Sequence, residues 1–137
     1  MKRAFTRPAQ CAALPWRVRA GVLEILLVTP RGGRGWILPK GKVKPSLGRR
    51  ESARREAEEE GGVRGELSAP PFGRYRHGGR LGPKVDVFLL RVTRELGAWP
   101  EDHQRERRWA TADEVSTLVL DPGLAALLAD AVRHLTE

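Results

Sequence analysis

A chain of 137 residues, 40% hydrophobic and 31% charged, has room for one domain with a real core and not for two. The same balance excludes a disordered polymer. Apolar runs as short as Val87–Leu90 exclude a membrane-spanning helix, and no apolar stretch near the N-terminus has the length of a secretory signal. The single cysteine, Cys11, cannot close an internal disulfide and suits a reducing cytosol, so a cytoplasmic location is expected. Cys11 reads as a buried structural thiol rather than a nucleophile.

In chain order, residues 1–9 read as a basic arm carrying Lys2, Arg3 and Arg7, and residues 10–137 as a single domain. Strands are expected from Gln10 to Val18 and from Val22 to Thr29, joined by a turn at Ala20-Gly21. A glycine-rich loop over 30–35 leads to a short strand, Trp36-Ile37-Leu38, and then to Pro39-Lys40-Gly41. A helix follows over about 48–60, with Ala53 and Ala57 as a narrow flank and Gly61-Gly62 as its stop. Strands at 63–68 and 72–76 are broken by Pro70-Pro71, and 77–83 is a turn-rich loop. His77 in that loop reads as a surface or ligand contact rather than a base. Residues 84–93 become continuously apolar, as a central strand does. A polar loop leads to a strand over 105–110. Thr111 with Glu114 is a capping-box signature, and Asp121-Pro122 opens a last helix whose apolar face is Leu124, Leu127, Leu128, Ala131 and Leu135. No internal repeat is present.

The chemistry concentrates at the end of the first helix, in Arg55-Glu56-Ala57-Glu58-Glu59-Glu60. At about 100° per residue, Glu56, Glu59 and Glu60 fall within a sector of roughly 100°, while Glu58 points away. Like charges so placed repel, and a cation between them relieves this; all-oxygen ligation favours Mg2+, Mn2+ or Ca2+. A solvated acidic helix face is the competing reading. Just upstream, nine basic side chains (Arg31, Arg34, Lys40, Lys42, Lys44, Arg49, Arg50, Arg54 and Arg55) stand against one acid, Glu51. A basic field beside a metal-binding acidic face suits a polyanionic, highly phosphorylated small molecule. Nucleic acid is another polyanion, but no reading motif and no aromatic interleaving accompany the basic run. Oligomeric state is not legible.

The spacing from Gly41 to Val63 resembles the Nudix box, G-x5-E-x7-R-E-U-x-E-E-x-G-U with U aliphatic. Gly41, Arg55, Glu56, Ala57, Glu59, Glu60, Gly62 and Val63 fill it in register; Leu47 stands where the box has its first glutamate. The W-x-L-P-K-G approach at 36–41 is also Nudix-like. The chain is thus identified as resembling a bacterial Nudix hydrolase, and the fold implied is α/β, an α/β/α sandwich with a mixed β-sheet between helices. The segment from Val87 to Trp109 looks like the diphosphoinositol polyphosphate phosphohydrolase branch of that family.

What the resemblance implies is a Mg2+-dependent pyrophosphohydrolase, with Mn2+ as the alternative ion. Its substrate would be a diphosphoinositol polyphosphate, a diadenosine polyphosphate or a similar nucleoside diphosphate derivative. Glu56, Glu59 and Glu60 would hold the metal with the backbone carbonyl of Lys40. Glu59 is either a further ligand or the base, and a more distant acid would come from Glu101 or Glu106. Arg55 belongs to the catalytic set. With Leu47 in the place of the usual partner, Glu51 is expected to orient Arg55 from four residues upstream, and Gly41 to shape the approach. Phosphate contacts are expected from Arg17, Arg34, Lys40, Lys42, Arg74, Arg76 and Arg107. Tyr75 is the only tyrosine and the tryptophans mostly fall on expected strands, which favours dense polyphosphates over nucleoside triphosphates. The alternative, favoured by Leu47, is a non-catalytic Nudix module that binds a phosphorylated ligand as a sensor or regulator.

Overall fold

The computed structural model describes residues 9–32 and 34–137; the expected arm over 1–9 lies, but for its last residue, outside them. Strands β1 (Gln10–Arg19) and β2 (Val22–Val28) form a hairpin, closed by Ala20 and Gly21 at positive φ. β3 is Lys40–Lys42, α1 is Gly48–Gly61, β4 is Val63–Leu67, β5 is Gly73–Arg76 and β6 is Lys84–Glu95. β7 (Arg107–Ala110) precedes α2 (Ala112–Leu118) and α3 (Pro122–Thr136). The sheet runs β4-β6-β1-β2-β7, with β3 on β1 and β5 on β6. β1 and β6 are parallel and the other pairs antiparallel, so the sheet is mixed.

β1 sits in the middle because both its faces are apolar from Cys11 to Pro15, and all five residues are buried. One face, with Cys11, Ala13, Leu26, Phe88 and Leu90, packs on Ala53 and Ala57 of α1. The opposite face, with Ala12, Leu14, Ile25, Leu27 and Val87, packs on Val115 of α2 and on Leu124, Leu127, Leu128 and Ala131 of α3. The two alanines of α1 let the helix lie close to the sheet; side-chain size, not a broad apolar stripe, fixes its place. The expected α/β/α sandwich is the fold observed.

One element differs. Residues 36–38 are not a strand: Ile37 makes a single antiparallel bridge to Val28, and the Trp36 amide donates to Leu118 O at 3.0 Å. Pairing with β1 begins only at Lys40, which brings Gly41 into a strand opposite Cys11. Pro39 lacks the donor a longer ladder requires.

Candidate functional site

α1 carries the carboxylates, and its ends are fixed from outside the helix. Gly62 takes the left-handed conformation (φ 64°, ψ 38°) and its amide reaches back to Ala57 O and Glu58 O, as a C-terminal glycine does. Arg107 then donates to the carbonyls of Gly61, Gly62 and Leu96 at 3.1, 3.2 and 2.7 Å, and its guanidinium lies 3.8 Å above the Trp99 ring. Trp99 Nε1 donates to Glu60 O at 3.1 Å. At the other end, Ser52 Oγ accepts from the Lys44 amide at 2.9 Å, tying the approach loop down.

Within this frame Glu56 and Glu60 are buried, 7% and 4% exposed, and share a side-chain hydrogen bond. Burial raises both, and each carboxylate's neighbours modulate the rise. For Glu60, Arg105 opposes it and Glu56 adds to it. For Glu56, the bond to Glu60 opposes it and Glu59 adds to it. Glu60 Oε1 accepts from the Lys40 amide at 3.1 Å. Gly41 lies directly under Glu56, whose carboxylate occupies the space a Cβ would need; a side chain at 41 would displace that carboxylate.

The trio expected on one face does not converge. Glu59 Oε2 takes the Arg55 Nε hydrogen at 2.8 Å in an i,i+4 pair, and its side chain is about a third exposed where the other two are buried. Among the described residues, no three His, Cys, Asp or Glu side chains gather closely enough to cage an ion. The expected Glu51–Arg55 pair is also absent. Glu51 accepts from Arg54 Nε at 2.9 Å and Arg50 Nη1 at 3.2 Å, because the i+3 neighbour reaches it first and Arg55 is satisfied one turn on. Leu47, 38% exposed, lines a groove of about 460 Å³ with Glu51, Arg55, Glu59 and Pro100.

Two buried carboxylates forced together, with one cation close by, are a donor set that a hard divalent ion fits. That cation is Arg105, missing from the sequence reading. Its side chain is 10% exposed, with Nη2 at 3.4 Å from Glu60 Oε2 and Nε at 2.7 Å from Glu101 Oε1; Nη1 reaches Thr29 O at 2.8 Å. The signal was available, since Arg105 stands four residues after Glu101. Of the two distant acids considered, Glu101 is the one linked to the pair. Glu106 is exposed, and its backbone pairs with Thr29.

The expected phosphate contacts divide. Arg17 is occupied by Glu24 at 2.7 Å and Glu95 at 3.3 Å and lies 3.9 Å over Trp109. Arg107 is spent on α1 as described. Both correct the sequence reading: carboxylates and a ring take the Arg17 guanidinium, and a ring with carbonyls at the end of α1 and after β6 take that of Arg107. Arg76 donates to Gly82 O at 3.1 Å, and Arg74 Nε to Asp86 Oδ1 at 2.7 Å. Lys42 is exposed on β3. Lys40 Nζ donates to Gln10 Oε1 at 2.8 Å. Arg34 lines a cleft of about 490 Å³ beside the 36–40 segment, with Arg31, Trp36, His77 and Leu120. Burial and the Lys40 charge lower His77, which keeps it neutral at pH 7. Trp36, expected on a strand, is the aromatic this cleft offers.

A mixed sheet between helices, with a helix whose paired acids meet the Lys40–Gly41 strand, defines the class of architecture. The NUDIX domain family model matches residues 10–133, and the chain belongs to that family. Among curated proteins it is similar to Nudix hydrolase 4 of Arabidopsis thaliana, 35% identical over 100 residues, covering 71% of this chain and 48% of the relative. Nudix hydrolase 12, mitochondrial, of the same plant is 37% identical over 105 residues, covering 70% and 52%. The chain thus spans about half the length of these relatives. Among solved structures, a C. elegans Ap4A hydrolase binary complex superposes with a TM-score of 0.70 at 21% identity, covering 95% of this chain and 98% of the other; that likeness concerns the fold. No helix among the described residues is long and apolar enough to cross a membrane.

Proposed function

We propose that residues 10–137 form one Nudix domain that hydrolyses a pyrophosphate bond in a highly phosphorylated small molecule, with Mg2+ or Mn2+ as cofactor. The observation that carries this reading is the buried Glu56–Glu60 pair, held against the Lys40 amide with Arg105 paired to Glu60. Glu56 and Glu60 are the residues to hold the ion. The Lys40 peptide supports them, because its N–H points off β1 towards Glu60, and a residue's N–H and C=O leave an extended strand on the same side. A divalent ion supplies neutralisation of phosphoryl charge and acidification of water.

The chain's own side chains do the rest. Glu59, held in readiness by Arg55, is a further ligand or the base for the attacking water. Arg105 fixes Glu60 and Glu101 relative to each other, and Glu101 is the more distant acid. Lys42, Lys40 and Arg34 border the approach and meet substrate phosphates. Diphosphoinositol polyphosphates, diadenosine polyphosphates and similar nucleoside diphosphate derivatives all satisfy this arrangement, and the location is read as cytoplasmic. Leu47 favours a second reading, a domain that binds such a ligand without cleaving it.

Incubation of the purified chain with a panel of these compounds and Mg2+, with products weighed by mass spectrometry, separates the two. Metal-dependent release of phosphorylated products supports the hydrolase. Tight binding of a panel member with no product rejects it in favour of the sensor.

A further inference from the structure

Gly41, Cys11, Asp86 and Arg74 stand side by side on β3, β1, β6 and β5, each paired in register with the next. Three strand spacings of about 4.8 Å make this row about 14 Å long. The Glu56 carboxylate sits over its first member. At its far end a single acid, Asp86, with its side chain 4% exposed, receives two guanidiniums: Arg74 from β5 at 2.7 Å and Arg49 from the first turn of α1. Both arginine side chains are about half exposed, 55% and 50%.

Stapling α1 to the sheet would need only one of them. Two guanidiniums on one carboxylate leave a net positive charge. Among the described residues each makes one hydrogen bond, to Asp86, so most of its N–H donors remain available. The buried acid fixes the guanidiniums in advance, which lowers the ordering cost of binding an anion. The Lys44 charge is felt at the near end of the row, by both Glu56 and the Cys11 thiol.

We infer that Arg49 and Arg74, set by Asp86 and assisted by Lys44, form an anion subsite that takes a phosphoryl group of the substrate remote from the bond cleaved. The inference rests on the hydrolase reading for its biological sense. It predicts a preference for chains or rings bearing several phosphates, since a lone diphosphate at Glu56 and Glu60 does not extend along the row.

The test is calorimetric titration of the full chain, at fixed ionic strength, with inorganic tripolyphosphate and with pyrophosphate. Arg49→Gln/Arg74→Gln is expected to weaken tripolyphosphate at least tenfold and pyrophosphate less. Arg80→Gln/Arg94→Gln removes the same charge from exposed arginines unpaired among the described residues, and is expected to change either ligand less than twofold. Equal losses in the two double variants, or none in the first, overturn the subsite. Should the first variant fail to fold because Asp86 is left buried alone, Asp86→Asn/Arg49→Gln/Arg74→Gln removes the acid together with its partners and is read the same way. The hydrolase reading fails separately. A protein that binds tripolyphosphate through this pair but cleaves no panel member keeps the subsite and loses the enzyme. One that cleaves the panel with an unaltered long-to-short preference in the double variant keeps the enzyme and loses the subsite.

Discussion

Glu60 answers two opposed demands. Its carboxylate is buried beside another, which disfavours the charged form, yet an ion can be held there only by charged oxygens. Replacing it by the isosteric glutamine should therefore separate stability from activity. Glu60→Gln is expected to lower turnover by about two to four decades, while the melting temperature in metal-free buffer near neutrality stays level, because the amide keeps the shape and the donor of a carboxyl that burial raises to about 8. Added Mg2+ should raise the melting temperature of the unaltered chain and do so much less for the variant. Activity kept within tenfold by Glu60→Gln would remove Glu60 from the centre of the site. Arg55 and Glu51 show where residue-level reasoning from spacing falls short. Both i,i+3 and i,i+4 neighbours were open to Glu51, and side-chain reach chose Arg54, a choice the sequence does not encode in its periodicity.

At the scale of the element, α1 is a helix with little apolar surface that is nevertheless held on the sheet. Small residues bring it close, and its C-terminal turn is clamped by Arg107 and Trp99. Gly62 is the point where these constraints meet: a Cβ there would stand 2.6 Å from Arg107 Nη1 and 2.7 Å from the Trp99 ring, at a backbone φ of 64°. Gly62→Ala is expected to destabilise the fold by about 2 kcal/mol through strain and displacement of the clamp, read as a lower urea midpoint. A shift indistinguishable from zero would mean that the clamp gives way freely. The helix, its stop and most strands were legible because periodicity and glycine are local signals. The functions of Arg17 and Arg107 were not. They depend on which rings and carbonyls lie across the sheet, and a basic residue near a phosphate motif reads alike whether it meets ligand or protein. The Trp36 segment was misplaced for a related reason: an apolar triplet fits a strand, and only the tertiary course of the chain shows that it forms one bridge and then borders a cleft.

For the whole molecule, Asp86 joins three elements by charge. Burial alone would raise its carboxyl, but Arg74 and Arg49 outweigh that and hold it below the ordinary aspartate range. A carboxylate depressed on folding contributes stability that is complete above the unfolded value, about 3.9, and drains away as pH falls through the lower folded one. The difference in urea midpoint between the unaltered chain and Asp86→Asn is therefore expected to be widest near neutrality and to narrow as the pH falls below about 4. A difference that holds constant over that window would show that the arginines do not stabilise the ionised form. The sandwich itself was readable from the alternation of strands and helices together with the box. The pairing of Asp86 with two arginines was not, since Arg49 and Asp86 lie 37 residues apart and meet only once β1 and β6 are aligned.

Cys11 lies at the centre of that alignment, wholly enclosed, its thiol pushed up to about 12 by burial and by the Glu56 and Asp86 charges. A sulfur so placed is mute towards alkylating reagents while the sheet is closed and ordinary once it opens. The chain thus carries its own clock: at mildly alkaline pH, the pace at which iodoacetamide marks this one atom counts how often the central strands part.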